Sequence, residues 1–313
     1  MKKSYFASVY YPEYAAEVKS GKTNLPFYQK VIEYGKRDGF QGIEVLPTFE
    51  LMKGQGAEFA DDYKDQAKKI REKLDEVGMT CSCFSFGLNM LSNKEYALRV
   101  LRQSADIAEI LGSPYVHHTF QVSFSTKNVL PSERYYQGAE KVFAELGREI
   151  AEYAGERGLE CLYEDQGIYI NTVDRLGSLI EKIDMPNTGV CLDCGNSLFY
   201  DILPESFAGA FASLVKHVHI KDYIKNTSPF RPGKGWDSSI SGVWLRNSIV
   251  GTGAVNFEKI FSILLSAGYD GFYSLENQNA IDNISTESAT EEIRTSMKNA
   301  EFLYNRAKAS LGA

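Results

Sequence analysis

Three observations predict a (β/α)8 barrel. Eight short apolar segments alternate with eight amphipathic helical patterns along the 313 residues. Strict alternation implies parallel strands joined by crossover helices, and eight such units suit a barrel of about 250 residues plus insertions. The first predicted strand is followed by Tyr10-Tyr11-Pro12. An open, doubly wound sheet is the alternative, but that fold would require a glycine-rich phosphate-binding turn directly after the first strand.

The strands are predicted from apolar runs bounded by glycine, proline or polar residues. In chain order they cover residues 5–9, 42–46, 79–84, 115–119, 159–164, 188–193, 215–221 and 271–276. Helical spacing of apolar residues predicts helices over 27–38, 61–77, 94–111, 132–157, 205–214, 256–267 and 290–308, and over a segment that ends at 183. Asn171 or Thr172 caps that last helix, and several helices end at a glycine such as Gly78.

We expect a single domain over residues 1–313, because no linker or low-complexity tract interrupts the alternation. One connection is unusually long: residues 223–255, after the seventh strand, contain both tryptophans of the chain, Trp236 and Trp244. Loops of this length are uncommon and usually functional, although a surface insertion without function is the alternative. Because barrels keep their active sites at the ends of such strands, we expect this insertion near the active-site mouth.

Composition narrows the function classes. The net charge of −7 and the pI of about 5.3 argue against a nucleic-acid-binding protein. No apolar run approaches the length of a membrane span, and the N-terminus is more typical of a strand than of a secretion signal. The odd number of cysteines indicates reduced thiols in a cytoplasmic protein. A zinc site at Cys191 and Cys194 would lack a second pair at suitable spacing.

Four consecutive strands, the fifth to the eighth, each carry one carboxylate or imidazole at or near their carboxyl end: Glu164, Asp193, His219 and Glu276. In a barrel these ends share one mouth. Carboxylates so close would repel each other and raise their pKa values, and a divalent cation removes that problem. An oxygen-rich set with one imidazole suits Mn²⁺, Mg²⁺ or Co²⁺, and we take Mn²⁺ as the first choice.

The seventh strand places His217, His219 and Lys221 on one face and Val218 and Ile220 on the other. His217 lies two residues deeper than His219, about 6.6 Å along the strand. We therefore expect His217 to support the site by packing and His219 to bind the metal.

These segments resemble the xylose isomerase-like TIM barrel superfamily of sugar isomerases and epimerases, with inosose dehydratases and endonuclease IV as relatives. The resemblance covers nearly the whole chain. It is strongest at His219-Ile220-Lys221-Asp222 and at residues 251–257, which lead to 268–271 and Glu276, and Gly42-Ile43-Glu44 also fits.

The resemblance implies that Glu164, Asp193, His219 and Glu276 bind the metal. It also implies that Glu164 and Glu276 flank the substrate and exchange the proton beside its carbonyl. The implied activity is isomerisation or epimerisation of a sugar or sugar derivative through an enediolate.

The chain departs from that pattern at three positions. Asn196 stands where the family often has histidine, Ile170 where ketose 3-epimerases usually have an acidic residue, and Lys225 where they tend to have arginine. These changes leave the predicted metal ligands in place, but they remove residues that contact the substrate in the epimerases. A metal-dependent lyase, acting by dehydration or C-glycoside cleavage on a keto-sugar or inosose, is therefore the alternative. A DNA-repair endonuclease would need more than the four histidines present.

Each of the further candidate site residues also has a purely structural explanation, such as a packed histidine or an ordinary ion pair. We predict His118 as a further catalytic residue. The predicted substrate-binding residues are Asn196, Glu44, His117, Lys221 and Trp236. The expected partners are a small carbohydrate substrate and further copies of this chain in a homo-oligomer. A hetero-oligomer with a small partner subunit is the alternative.

Overall fold

The structure is a computed structural model that describes residues 1–54, 58–87, 91, 93–120, 133–166, 169–276 and 286–312. Its contacts divide the chain into two compact units. The terminal unit comprises Met1–Ile43 and Leu192–Ala313, and the central unit comprises Glu44–Cys191. Each unit is described by itself, and the single domain stays a prediction. Among the described residues, no helix combines the length and the apolar character that crossing a bilayer requires.

The strands that match the eight predicted ones are β1 (Lys2–Tyr5), β2 (Gly42–Val45), β3 (Thr80–Gly87), β4 (Tyr115–Thr119), β5 (Glu160–Tyr163), β6 (Thr188–Asp193), β7 (Val215–Ile220) and β11 (Phe272–Leu275). Within each unit, neighbouring strands follow the order β1-β11-β7 and the order β6-β5-β4-β3-β2. In the terminal unit β11 pairs in parallel with β1 and with β7. In the central unit β4 pairs in parallel with β3 and β5, and β5 pairs in parallel with β6.

The helices are α1 (Tyr11–Lys19), α2 (Phe27–Arg37), α3 (Tyr63–Val77), α4 (Lys94–Leu111), α5 (Glu133–Gly155), α6 (Val173–Ile183), α7 (Pro204–Phe211), α8 (Phe257–Ser266) and α9 (Thr286–Ser310). Side chains cap several of them, because the first amides of a helix lack partners within it. Thr172, and not Asn171, caps α6 by accepting a hydrogen bond from the Arg175 amide, and Asn256 caps α8 in the same way. The predicted helix start at Ser132 lies outside the described residues.

The first strand was predicted wrongly at residues 5–9. The strand is Lys2–Tyr5, and residues Ala7–Tyr10 form a 3₁₀ turn that leads into α1, a helix the sequence pattern did not indicate. The continuous apolar run misled the prediction, because Phe6, Val9 and Tyr10 are buried although they lie beyond the strand. The last ladder bond joins the Phe6 amide to the Leu275 carbonyl at 3.0 Å.

The segment after β7, expected to be a long loop, contains a small antiparallel sheet. Its strands are β8 (Asp222–Asn226), β9 (Asp237–Ser238) and β10 (Trp244–Ser248), in the order β8-β10-β9. Both tryptophans stabilise this sheet. The Trp244 indole donates to the Ser228 carbonyl at 2.9 Å, and Arg246 lies 5.2 Å from the centre of the Trp236 ring.

Candidate functional site

Three of the four predicted metal ligands lie together in the terminal unit. Asp193 ends β6, His219 is the fifth residue of β7, and Glu276 follows β11. One ligand atom from each of them lies within 4.8 Å of the others. His219 Nδ1 is 3.4 Å from Glu276 Oε2 and 3.9 Å from Asp193 Oδ2. Asp193 and His219 are fully buried and Glu276 is 9% exposed, so water screens these charges weakly.

The backbone after β6 fixes one oxygen of Asp193. Its Oδ1 accepts hydrogen bonds from the amides of Gly195 and Asn196, both at 2.7 Å. Gly195 is required here, because an added Cβ would lie 3.1 Å from the Lys221 carbonyl oxygen and closer still to the Tyr223 ring. These bonds turn Oδ2, the other carboxylate oxygen, toward His219 and Lys221.

Lys221 joins two of the three ligands. Its ammonium lies 2.6 Å from Glu276 Oε1 and 3.1 Å from Asp193 Oδ2, and it donates to Asn196 Oδ1 at 3.3 Å. The side chain is 2% exposed. Two carboxylates buried side by side would be costly without a cation, and the ammonium supplies one positive charge. Lys221 and Asn196, both predicted to contact substrate, therefore lie beside the predicted metal ligands.

Aromatic rings hold His219 in place. Phe6 meets its imidazole edge-on with 4.7 Å between ring centres, and His217 does so at 5.5 Å. Phe6 lies directly between β1 and the turn Ala7–Tyr10. His217 is fully buried below His219, which agrees with the predicted supporting role.

Asp222 organises the turn that carries the Gly251–Val255 motif. Its carboxylate accepts hydrogen bonds from the amides of Tyr223, Gly251, Gly253 and Val255, at 2.8–3.1 Å. Burial raises the pKa of Asp222, although these four amides act against the shift. Asp222 therefore holds the turn in place and leaves Lys221 to face the site.

The fourth predicted ligand, Glu164, belongs to the central unit. It follows β5 and is 3% exposed. His117 Nε2 lies 3.2 Å from Glu164 Oε2, and His117 Nδ1 lies 3.0 Å from the Ser85 hydroxyl. Ser85 in turn donates to Glu44 Oε1. The structure thus brings together three predicted residues, Glu44, His117 and Glu164. Ser85 had no signal in the sequence, because a serine in an apolar strand is common.

His118 faces the other side of β4. Its ring packs edge-on against Phe120 and Tyr163, with ring centres 5.3 and 5.1 Å away. Burial, and then the neighbouring His117, lowers the pKa of His118 to about 3, so the ring is neutral at physiological pH. The contacts favour His117 over His118 as the histidine that serves Glu164.

The residues of the terminal unit fit a divalent cation. Ligands about 2.1 Å from a metal are about 3.0–3.4 Å apart at octahedral or tetrahedral angles. The separations of 3.4 and 3.9 Å around His219 Nδ1 are near that range. Two carboxylates and one imidazole also match the donor preference of Mn²⁺, Mg²⁺ and Zn²⁺.

Comparison with known proteins identifies the family. The sequence model of the xylose isomerase-like TIM barrel family matches residues 32–304. The chain therefore belongs to that family, and the predicted (β/α)8 barrel is confirmed.

Individual relatives are distant. An inosose dehydratase of Clostridium beijerinckii is 22% identical over 254 residues, which cover 78% of this chain and 84% of that protein. A solved D-psicose 3-epimerase, crystallised with D-fructose, superposes with a TM-score of 0.69 at 14% identity and covers 97% of this chain and 99% of its own. A xylose isomerase-like protein of Mycobacterium smegmatis, solved with magnesium, has a TM-score of 0.64 at 17% identity and covers 90% of each chain. At these identities the solved structures support the fold alone.

Proposed function

We propose that this chain is a divalent-metal-dependent enzyme that moves a proton beside the carbonyl of a sugar or sugar derivative and so isomerises or epimerises it. The observation that carries the proposal is the buried cluster of Asp193, His219 and Glu276. Lys221 supplies one positive charge against the two carboxylates, and a divalent cation would compensate the charge that remains.

Glu164 is proposed as the fourth ligand. The register of β5 and β6 supports this, because Tyr163 pairs with Val190. Continued by one residue, that register sets Glu164 level with Cys191, two residues before Asp193 and on the same face of the sheet. Parallel strands deliver their functional residues at this carboxyl end.

The bound cation would polarise a carbonyl and stabilise negative charge on the neighbouring oxygen. Glu276 and Glu164 are proposed to remove and return the proton, since each is a carboxylate with a second oxygen beyond the one that binds the metal. Lys221, held between Glu276 and Asp193, keeps the Glu276 carboxylate oriented. Burial excludes bulk water and strengthens each of these electrostatic interactions.

Dehydration or another lyase reaction is the second candidate. The inosose dehydratase of Clostridium beijerinckii is similar to this chain in sequence over 78% of its length, whereas the D-psicose 3-epimerase is similar to it in fold. Asn196, Ile170 and Lys225 also depart from the epimerase pattern. Abstraction of the same proton followed by loss of a β-substituent would give dehydration on the same residues.

Incubation of the Mn²⁺-loaded protein with keto-sugars and inososes in D₂O separates the two reactions. Deuterium incorporation beside the carbonyl with the carbon skeleton retained and no leaving group lost, observed by NMR, supports isomerisation or epimerisation. Release of water or an aglycone supports the lyase instead. The Glu276→Gln variant is the control, because it should abolish either reaction, and an active variant would contradict the assigned role of Glu276.

We further propose Mn²⁺ as the native metal, a homo-oligomeric state and a cytoplasmic location. The donor set supports the first, and the buried free cysteines, which include Cys81 and Cys161, agree with the last. Metal analysis of the purified protein and light scattering test the first two of these proposals.

A further inference from the structure

Thr119, the last residue of β4, has a buried hydroxyl group for which the described residues offer no hydrogen-bond partner. The residue is 6% exposed. A buried hydroxyl without a partner costs free energy, and most buried polar groups in folded proteins are paired. Valine has nearly the same shape without the hydroxyl, so packing alone does not require a threonine at this position.

The register of the strands places Thr119 beside Glu164. His117 on β4 pairs with Leu162 on β5. Continued by two residues, this register sets Thr119 level with Glu164. Side chains alternate along a strand, so Thr119 faces the same side of the sheet as His117 and lies closer to the carboxyl end. His117 Nε2 lies 3.2 Å from Glu164 Oε2, so this face carries the Glu164 carboxylate.

The neighbouring strand β3 adds no side chain at this level. Its residue in register with Thr119 is Gly87, which is exposed. Two residues deeper, the register partner of His117 is Ser85, whose hydroxyl lies 3.0 Å from His117 Nδ1. The polar face is therefore filled by side chains at the level of His117, whereas a glycine flanks the hydroxyl of Thr119.

We propose that Thr119 is a substrate-binding residue whose hydroxyl forms a hydrogen bond with a hydroxyl group of the sugar, next to the carbon whose proton Glu164 exchanges. The inference rests on the proposed function and adds one contact to it. A threonine hydroxyl both donates and accepts, and so does each hydroxyl of a sugar. The bond supplies the missing partner of Thr119 when substrate is bound. A contact of this kind also discriminates against analogues that lack the hydroxyl.

The stability of the metal-free protein distinguishes a structural hydroxyl from one that waits for a ligand. Thr119→Val should leave the urea midpoint of unfolding unchanged or raise it, because valine removes an unpaired polar group and keeps the shape. Thr188→Val is the matched control in the same unit. The Thr188 hydroxyl donates to the Met185 carbonyl at 2.8 Å, so its loss should lower the midpoint. A lowered midpoint in Thr119→Val would overturn the inference.

Binding is observed directly at the methyl group of Thr119. The full chain is labelled with ¹³C at its threonine methyl groups, loaded with Mg²⁺, which is diamagnetic, and titrated with dihydroxyacetone, the smallest keto-sugar. Thr119→Val lacks one methyl signal and so assigns it. We expect the Thr119 signal to shift during the titration. The signal of Thr188, at the amino end of β6, should stay in place.

Deuterium exchange beside the carbonyl of dihydroxyacetone in D₂O measures what the bond contributes to turnover. In Thr119→Val we expect KM to rise about 10-fold and kcat to stay within about twofold, because the bond is present in the ground state and the transition state alike. Thr119→Ser keeps the hydroxyl and should restore KM. An unchanged KM in Thr119→Val, or a loss confined to kcat, would contradict the contact.

The two readouts with dihydroxyacetone separate this inference from the proposed function. A wild type whose Thr119 signal shifts but which exchanges no deuterium would refute the proposed reaction and support the contact. Exchange without a shift of the Thr119 signal would refute the contact and support the reaction. Neither a shift nor exchange would refute both.

Discussion

Replacing His118 by phenylalanine should remove most of the acid sensitivity that this buried ring gives to the fold. The imidazole packs edge-on against Phe120 and Tyr163, and phenylalanine preserves an aromatic ring in that place. Burial lowers the pKa of His118 to about 3 in the folded protein, whereas an unfolded histidine has a pKa of about 6.5. The stabilisation is therefore complete above about pH 6.5 and is lost as the pH falls toward about 3.

The size of the effect follows from these two pKa values. At pH 7.5 both states bind almost no proton at this ring. At pH 5.0 the unfolded histidine is protonated and the folded one is neutral, which costs about 2 kcal/mol of unfolding free energy. Urea unfolding at both pH values, followed by circular dichroism, measures the change. The wild type should lose about 2 kcal/mol more than His118→Phe.

The difference between the two proteins in lost unfolding free energy excludes the contribution of titrating groups that both proteins share, such as surface carboxylates. An equal loss in the two proteins would show that His118 is protonated in the folded state, and would refute the description of this ring as a neutral packing residue. It would also restore His118 as a candidate for proton transfer.

Two further substitutions test the terminal unit. Gly253→Ala should destabilise the fold by about 1–3 kcal/mol in urea unfolding, because the added Cβ would lie 2.6 Å from Asp222 Cγ and from the Tyr223 carbonyl oxygen. Gly138→Ala on α5, where an added Cβ meets no atom of the described residues within 4 Å, should instead stabilise it by about 0.5–1 kcal/mol, and equal effects would contradict the close contact at Asp222. Lys221→Met should lower the stability of metal-free protein by about 3–5 kcal/mol, since it leaves two buried carboxylates without their ammonium. Mn²⁺ should raise the melting temperature of that variant more than that of the wild type, because the metal would replace the missing positive charge, and an equal or smaller rise would contradict charge compensation by Lys221.

The sequence predicted the helices other than α1, and most of the strands, well. The helix Lys94–Leu111 and the strands Tyr115–Thr119 and Thr188–Asp193 have the predicted bounds. Periodicity and glycine ends mark such elements because they follow from local geometry. The prediction of the first strand was wrong because a continuous apolar run, without alternation of polar and apolar residues, occurs in buried turns as well as in strands.

The candidate site was predictable where it depends on strand ends. Asp193, His219 and Glu276 meet because parallel strands bring their carboxyl ends together. The contacts of Lys221 and His117 depend on side-chain orientation, which a strand pattern indicates only by parity. Parity left the pair His117 and His118 undecided, and the hydrogen bond to Ser85 on β3 identifies the inward member.

The role of Trp236 is a further feature that the sequence alone does not predict. Its place in the long insertion favoured a sugar-stacking role, but the described contacts join it to Arg246 and, through its carbonyl, to Arg231 within the small sheet. A substrate contact by Trp236 stays a prediction. Tryptophans in an insertion can stabilise the insertion itself, and the sequence alone does not distinguish the two roles.

Metal content is the measurement that tests the central claim most directly. Wild-type protein dialysed against Mn²⁺ and then against buffer should retain about one ion per chain by mass spectrometry. Glu164→Gln should bind at least about 10-fold more weakly, because a neutral amide replaces a charged ligand. Glu152→Gln, an exposed position on α5, should bind like the wild type. A wild type that retains no divalent ion, or a Glu164→Gln variant with unchanged affinity, would contradict the metal site proposed for this chain.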